Sequence, residues 1–600
     1  MNSKTTGIWF LIAAALFAFV FFWERHLNAP AEDTHILSGL RPAAVTRVQV
    51  IPAGSPEICA DRTNGSWLLT RPVAYPAQPA AVEMLLDALQ KLTFATRFSA
   101  GELRLHPNAG TEYGFDSPQF SLVVEAGDQR WQLRVGNKTA PGDQVFLLVV
   151  GEAGAYVADA DWLKTIPRMA NDWRDTALVD AGAAFDGIVL TNNARGIVIE
   201  LHRDPTNHLW RMLRPLQARA DGERITDALQ KLYSARIAQF VTDSPQADLS
   251  AYGLQPADLD VWLDRGTNFV AAFQVGKSPT NDPARVYVRR EDWNAIATTA
   301  REPLLPWRGS VNDFRDPHLL ELTAPVAEIV VQGANRQENF TLQRHGSNDW
   351  ALVGEKFPAD AENAQLFIKL LAGLPIAEFV KDVVTPPDLQ AYGLAAPTRQ
   401  ITLRSAIGDT NAVIAQLLFG STQTNEIFVR RADEDFIYGV SLAKYGQLPE
   451  FGWEFRDRRI WHFDETNVAS ILLRENGKTW QLLHNGVNQW SLAPGSQGMI
   501  MPAAVEETAH RLGELTAAGW VARDISPVDL EKVGWTTNSL QLTVELKDGT
   551  KETVDRIREY PEAQTALAAV TLDGERWAFV FPPPLYQFVL SYLTIPANVP

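Results

Sequence analysis

One phrase returns along this chain at a nearly constant interval, and that interval limits what the chain can fold into. "TEYGFDSPQFSLVV", "SAYGLQPADLDVWL" and "QAYGLAAPTRQITL" place Tyr113-Gly114, Tyr252-Gly253 and Tyr392-Gly393 139 and 140 residues apart, and a degenerate Val533-Gly534 follows after another 141. A tryptophan recurs at Trp67 ("GSWLLTRP"), Trp210 ("HLWRMLRP"), Trp350 ("NDWALVGE") and Trp490 ("NQWSLAPG"), spaced 143, 140 and 140 residues. An aromatic-Arg-Asp marker recurs at Trp173-Arg174-Asp175, Phe314-Arg315-Asp316 and Phe455-Arg456-Asp457, 141 residues apart each time. Three independent markers in one order and one period mean tandem copies of a single unit. A chain of 600 residues is also too long for one ordinary core. The expected organisation is an N-terminal segment at 1–27, then copies at 34–176, 177–318, 319–462 and 463–600.

Each copy has the same internal order. In the second, "GIVLTNN" and "GIVIELHRD" read as a strand pair leading to Trp210. "ERITDALQKLYSARI" follows, with Ile225, Ala228, Leu229 and Leu232 at helical spacing on one stripe. The first copy repeats this stripe with Val82, Leu85, Leu86 and Leu89. "ADLSAYGL" reads as one helical turn, capped by Asp248 at its start and ended by Gly253 in a left-handed conformation. Pro256 blocks continuation of the helix. The alternating runs "LDVWLD", "FVAAFQVG" and "ARVYVRR" then read as a strand meander, and "EDWNAIATTA" as a short closing helix. The expected fold class is α+β: an N-terminal transmembrane helix, then four tandem copies of strand pair, amphipathic helix, strand meander and short helix.

The transmembrane expectation rests on "GIWFLIAAALFAFVFFW" at 7–23, an uncharged run of 17 residues. At ~1.5 Å per residue it spans ~26 Å, close to a ~30 Å hydrocarbon core. Trp9 and Trp23 stand where interfacial aromatics belong. A cleaved leader is the alternative, with Ala29-Pro30-Ala31 as a small-x-small site, but the apolar run exceeds the usual leader core of about 7–15 residues. This reading places one span in the bacterial cytoplasmic membrane and the bulk of the chain outside the cytoplasm.

Charge and motif content remove several function classes. The formal net charge is −17, from 71 acidic and 54 basic residues. Such a chain repels phosphate backbones, so nucleic acid is not an expected partner. A single cysteine, Cys59, excludes an intramolecular disulfide. "VGKS" at 275–278 resembles the end of a phosphate-binding loop, but Ala271 stands where its first glycine belongs, and Gly136 and Gly420 mark the same turn in other copies. The ten histidines form no metal-binding pair. His106, His208, His345 and His484 read as solvated or locally bonded. Asp159 with Asp161, and Asp433-Glu434-Asp435, fall in polar turns, where solvated carboxylates are the simpler reading than an acid/base pair. No cofactor is implied. Arg174, Arg315 and Arg456 lie at copy boundaries and read as hinge contacts, since arginine suits bidentate pairing with a carboxylate.

The apolar N-terminal run, the W-x-[LM]-x-x-P segments "WLLTRP" and "WRMLRP", the "AYGL" turn, the "VG" turn before "VYVRR" and the "FRD" close together resemble the bacterial family of the domain of unknown function 4340. The first copy lacks the Asp-Leu cap before its Tyr-Gly, and the fourth has Val533 in place of tyrosine. The resemblance implies a membrane-associated partner of gliding-motility-type ABC export systems, with an ABC-type permease or other envelope proteins as partners. Two function classes follow: a non-catalytic scaffold or adaptor outside the cytoplasmic membrane, or a cell-envelope hydrolase acting on glycan or peptide. A catalytic site would need residues that one copy has and the others lack, and no such constellation is visible, so the scaffold is the expected class.

Overall fold

Strand alternation builds one antiparallel sheet per copy. In Leu259–Arg265 the side chains of Leu259, Val261 and Leu263 are buried while Asp260 and Asp264 lie on the other face and Trp262 is exposed. A period of two can do this only in an extended strand with one face against a core. The computed structural model describes residues 9–10, 12–20, 34–180, 185–526, 539–560 and 565–594. These form two compact units, Met1–Arg315 and Asp316–Pro600. Each unit carries two sheets, with strands running over 47–159 and 187–300 in the first and 328–441 and 468–581 in the second.

The first two sheets have nine strands. Counted along each copy, their spatial order is fourth, third, second, first, sixth, seventh, eighth, ninth, fifth. The third and fourth sheets have eight, because they lack the two-residue strand after the tryptophan. All neighbouring strands pair antiparallel. The amphipathic helices are α1 (Pro79–Gln90), α2 (Gly222–Ser234), α3 (Ala361–Ala372) and α4 (Pro502–Gly513). Asp221 caps α2 by accepting from the Arg224 amide at 2.9 Å. Ile225, Ala228 and Leu232 of α2 are fully buried, in one cluster with Ile188, Leu190, Val261 and Val275 of the sheet. Each such leucine stabilises the fold by about 1.5–3 kcal/mol through the water it leaves.

The α+β expectation is corrected. The copies are mainly β, four antiparallel sheets with one substantial helix each. "EDWNAIATTA" does not close the copy as a helix: Ile296–Ala300 is a strand held between Arg285–Arg290 and Ile237–Thr242. Pairing on both sides outweighs the local helix preference of an alanine-containing run. The strand after each helix returns to the far edge of its sheet, and in three copies it carries register shifts that interrupt the exposed ladder. The N-terminal transmembrane helix is corrected as well. Residues 12–20 are helical but rise only about 14 Å, and no helix among the described residues is long and apolar enough to cross a membrane. Ala29-Pro30-Ala31 and Val533-Gly534 lie outside the described residues.

The recurring Tyr-Gly phrase and the recurring "VG" turn are two halves of one contact. Tyr113, Tyr252 and Tyr392 carbonyls accept from the Asn137, Lys277 and Ser421 amides at 2.7, 3.1 and 2.8 Å. Gly253 and Gly393 have φ of +67° and +70°. A Cβ on Gly276 would fall 2.3 Å from the Tyr252 carbonyl oxygen, and on Gly420 2.2 Å from that of Tyr392. Side chains are thus excluded from both halves. The tyrosine rings complete the contact by packing on the aromatic of the following strand: Tyr113 on Phe146 at 4.4 Å, Tyr252 on Tyr287 at 5.0 Å and Tyr392 on Phe428 at 4.6 Å. Asp248 caps the short helix Leu249–Tyr252 before the turn, accepting from the Ser250 amide at 3.0 Å. Gly276→Val is expected to destabilise the protein by at least about 1–3 kcal/mol, read as a lowered midpoint in urea. An unchanged midpoint would show that the two turns need not touch.

Candidate functional site

The recurring arginines meet groups from two consecutive copies. Arg174 is 2% exposed. Its guanidinium lies 4.7 Å from the Tyr75 ring of the first copy and 4.1 Å from the Phe240 ring of the second. It donates to Asn171 Oδ1 at 3.2 Å and pairs with Asp243 of the second copy. Tyr75 packs in the second copy's core, beside Leu178 and Val179. Burial pushes its phenol up to about 12, against the opposing charges of Arg290 and Arg174.

In the second unit, Arg456 lies 4.8 Å from Phe357, 4.6 Å from Trp577 and 5.9 Å from Trp520, and pairs with Asp573 at 2.6 Å. The Trp520 indole donates to the Arg456 carbonyl at 2.9 Å. A second guanidinium, Arg523, sits over the same Phe357–Trp577 pair and bonds both Glu355 of the third copy and Glu575 of the fourth. Those two carboxylates raise its pKa, Glu575 more than Glu355. An edge-on aromatic pair, 5.6 Å between centroids, is therefore flanked by two cations.

The carboxylates that Arg174 and Arg456 meet are those of the following copy, Asp243 and Asp573, while the aspartates of the markers close local turns. Asp175, Asp316 and Asp457 each accept, at 2.9 Å, the amide two residues ahead (Ala177, His318 and Arg459). A short aspartate side chain suits this role, accepting from its own backbone two residues on. The segment is tied by backbone on either side. In the first unit Arg174 bridges Ala77, Ala177 bridges Arg236 and Arg315 bridges Ala220; in the second, His318 bridges Pro375, Arg456 bridges Ala359 and Arg459 bridges Thr516. Arg315 is 3% exposed and donates to Asn312 at 3.3 Å. Trp173, Phe314 and Phe455 are buried.

Trp67, Trp210, Trp350 and Trp490 are all buried on the third strand of their sheets. In the terminal copies the indole reaches a helix carboxylate: Trp67 donates to Glu83 at 2.8 Å and Trp490 to Glu506 at 2.6 Å. Arg62 lies 4.6 Å over the Trp67 ring, and the His484 ring stacks on Trp490 at 4.4 Å. These are core contacts. The sequence-flagged carboxylates are likewise engaged. Asp161 pairs with Lys164, Asp433 with Arg431, Asp435 with Arg430, and Glu434 accepts from the Tyr438 hydroxyl. No group of three or more His, Cys, Asp or Glu among the described residues is arranged to hold a metal.

The first joint has an open mouth. A cavity of about 270 Å³ lies between the 55–56 and 72–73 turns, the 168–171 loop, Arg174 and Asp243. Of the joint residues, the arginines were marked by their period. Tyr75, Phe240, Asp243, Phe357, Arg523 and Trp577 were not, because contacts between copies leave no spacing inside one copy.

A tandem-sheet protein whose repeated residues are spent on joints and cores is what the geometry defines. The family described as Domain of unknown function (DUF4340) matches residues 67–206, 210–397 and 350–533. The chain belongs to that family. The three matches open on Trp67, Trp210 and Trp350, the tryptophans that set the period. No curated protein matches the chain.

Two outcomes are expected. Tyr75 loses its proton in the unfolded chain near pH 10 and in the folded one only near 12. Its contribution is therefore complete below pH 10 and lost between pH 10 and 12, with a ceiling of about 2–3 kcal/mol. Tyr75→Phe should flatten that part of the alkaline stability curve, measured by urea midpoints. Arg456→Met should cost about 2–4 kcal/mol by loss of a desolvated cation over aromatic faces, seen as a drop in Tm.

Proposed function

We propose that this protein is a non-catalytic scaffold that docks on an export complex of the ABC-permease type at the cell envelope. The observation that carries the reading is where the repeated residues go. The Tyr-Gly and "VG" turns hold each other, the tryptophans fill cores, and Arg174 and Arg456 lock joints. What is common to the copies is thus spent on architecture. Recognition falls to what differs between them, the exposed faces and joint mouths. Tandem units that touch only their neighbours supply extended surfaces of this kind, and the acidic surface favours protein over nucleic acid.

Affinity purification of the full chain from gently solubilised membranes tests the reading. Recovery of a permease and its ATPase in fixed ratio is expected. Recovery of the protein alone, with hydrolysis of envelope glycan or peptide that maps to one copy, would overturn it.

A further inference from the structure

The two joints share one local frame but differ at two positions. In the first unit the short helix Ala170–Asp172 precedes Arg174, and Asp172 accepts from the Arg168 and Met169 amides. In the second, the short helix Gly452–Phe455 precedes Arg456, and Glu454 accepts from the Glu450 and Phe451 amides. Counting back from each arginine, Met169 corresponds to Phe451 and Asn171 to Trp453. Phe451 and Trp453 stack at 5.4 Å with a 10° angle between rings, and Trp453 meets Trp577 edge-on at 6.5 Å. Both are half-buried. Asn171 is exposed and Met169 is 59% exposed, and it is here that the first joint has its cavity.

The second joint thus shows which chemistry stands at this position: a planar aromatic ring stacked on an aromatic neighbour and edge-on to Trp577, the ring that the Arg456 guanidinium faces. We infer that the cavity of the first joint is a docking pocket for an aromatic side chain, tryptophan in the first instance, supplied by a partner polypeptide. Its wall offers Pro56, Pro72, Val73 and the Met169 thioether. Saturated rings and a polarizable sulfur are good surfaces for an aromatic face. Its polar side offers Ser55, Arg168, Asn171, Asp243 and Arg174, the last with Nε buried and without a hydrogen-bond partner. A volume of about 270 Å³ falls below the ~300–1,000 Å³ of pockets for drug-sized ligands. It suits one large side chain anchored from a longer segment, the usual form of an interface hot spot. The inference rests on the scaffold reading for the identity of the occupant as a protein.

The test uses the full chain and N-acetyl-L-tryptophanamide as probe, followed by saturation-transfer NMR and calorimetry. Wild type is expected to bind it saturably, and N-acetyl-L-alaninamide not at all. The double variant Met169→Phe/Asn171→Trp, which copies the second joint, should bind at least tenfold more weakly while melting no lower than wild type. Met169→Asp, at an exposed rim position, should weaken binding about fivefold and serves if the double variant fails to fold. Equal binding by wild type and both variants, or no saturable binding by wild type, would overturn the pocket. Probe binding that follows this pattern in a protein that recovers no membrane partner would uphold the pocket and defeat the scaffold reading.

Discussion

A guanidinium withdrawn from water has to be met on its faces and along its edge, and Arg174 is met by groups that belong to two different copies. Tyr75 and Phe240, themselves in edge-on contact at 5.2 Å, pack against it, and its edge takes Asn171 and Asp243. Arginine suits this role because its plane stacks on rings, its charge is weakly hydrated and its donors lie in a fixed fork. Lysine would present a compact, strongly hydrated charge to the same rings. The desolvation cost is offset only while all of the partners are in place. Sliding one copy against the other would strand a buried charge, so the joint fixes their register. Arg456 is built on the same plan and doubled by Arg523, with one aromatic pair between two cations.

Inside each copy the corresponding constraint is steric. Helix and meander are joined where two backbones approach so closely that neither can carry a side chain. Gly253 supplies the left-handed turn and Gly276 the room for the Tyr252 carbonyl. This explains why a chain of such varied sequence keeps "YG" and "VG" together. The same geometry accounts for a phosphate-loop look-alike that has no phosphate chemistry behind it: "VGKS" is the partner of a turn.

What was legible in the sequence was what repeats within a copy. The stripe Ile225, Ala228, Leu232 announced α2 and its buried face, and Gly253 announced its conformation. What was not legible depends on partners far along the chain. Ile296–Ala300 is a strand because of neighbours at 285–290 and 237–242, not because of its own composition. Phe240 and Tyr75 look like ordinary aromatics until Arg174 is seen against both rings. The apolar run at 7–23, with Trp9 and Trp23 near its ends, suggests a span that the described helix there is too short to make. Of the candidate pocket the sequence contained one hint, that the residue three places before the boundary arginine is Asn171 before Arg174 and Asn312 before Arg315 but Trp453 before Arg456.

The central claim is that the buried arginine couples consecutive copies into one cooperative body. Hydrogen exchange on the full chain carrying Arg174→Met tests it directly. Protection is expected to fall together in strands 47–52 and 187–192, the central strands of the first and second sheets, because Tyr75 of the first sheet packs in the second core and Arg174 is held by groups of both copies. A loss confined to residues 168–175, or to one of the two sheets, would contradict it.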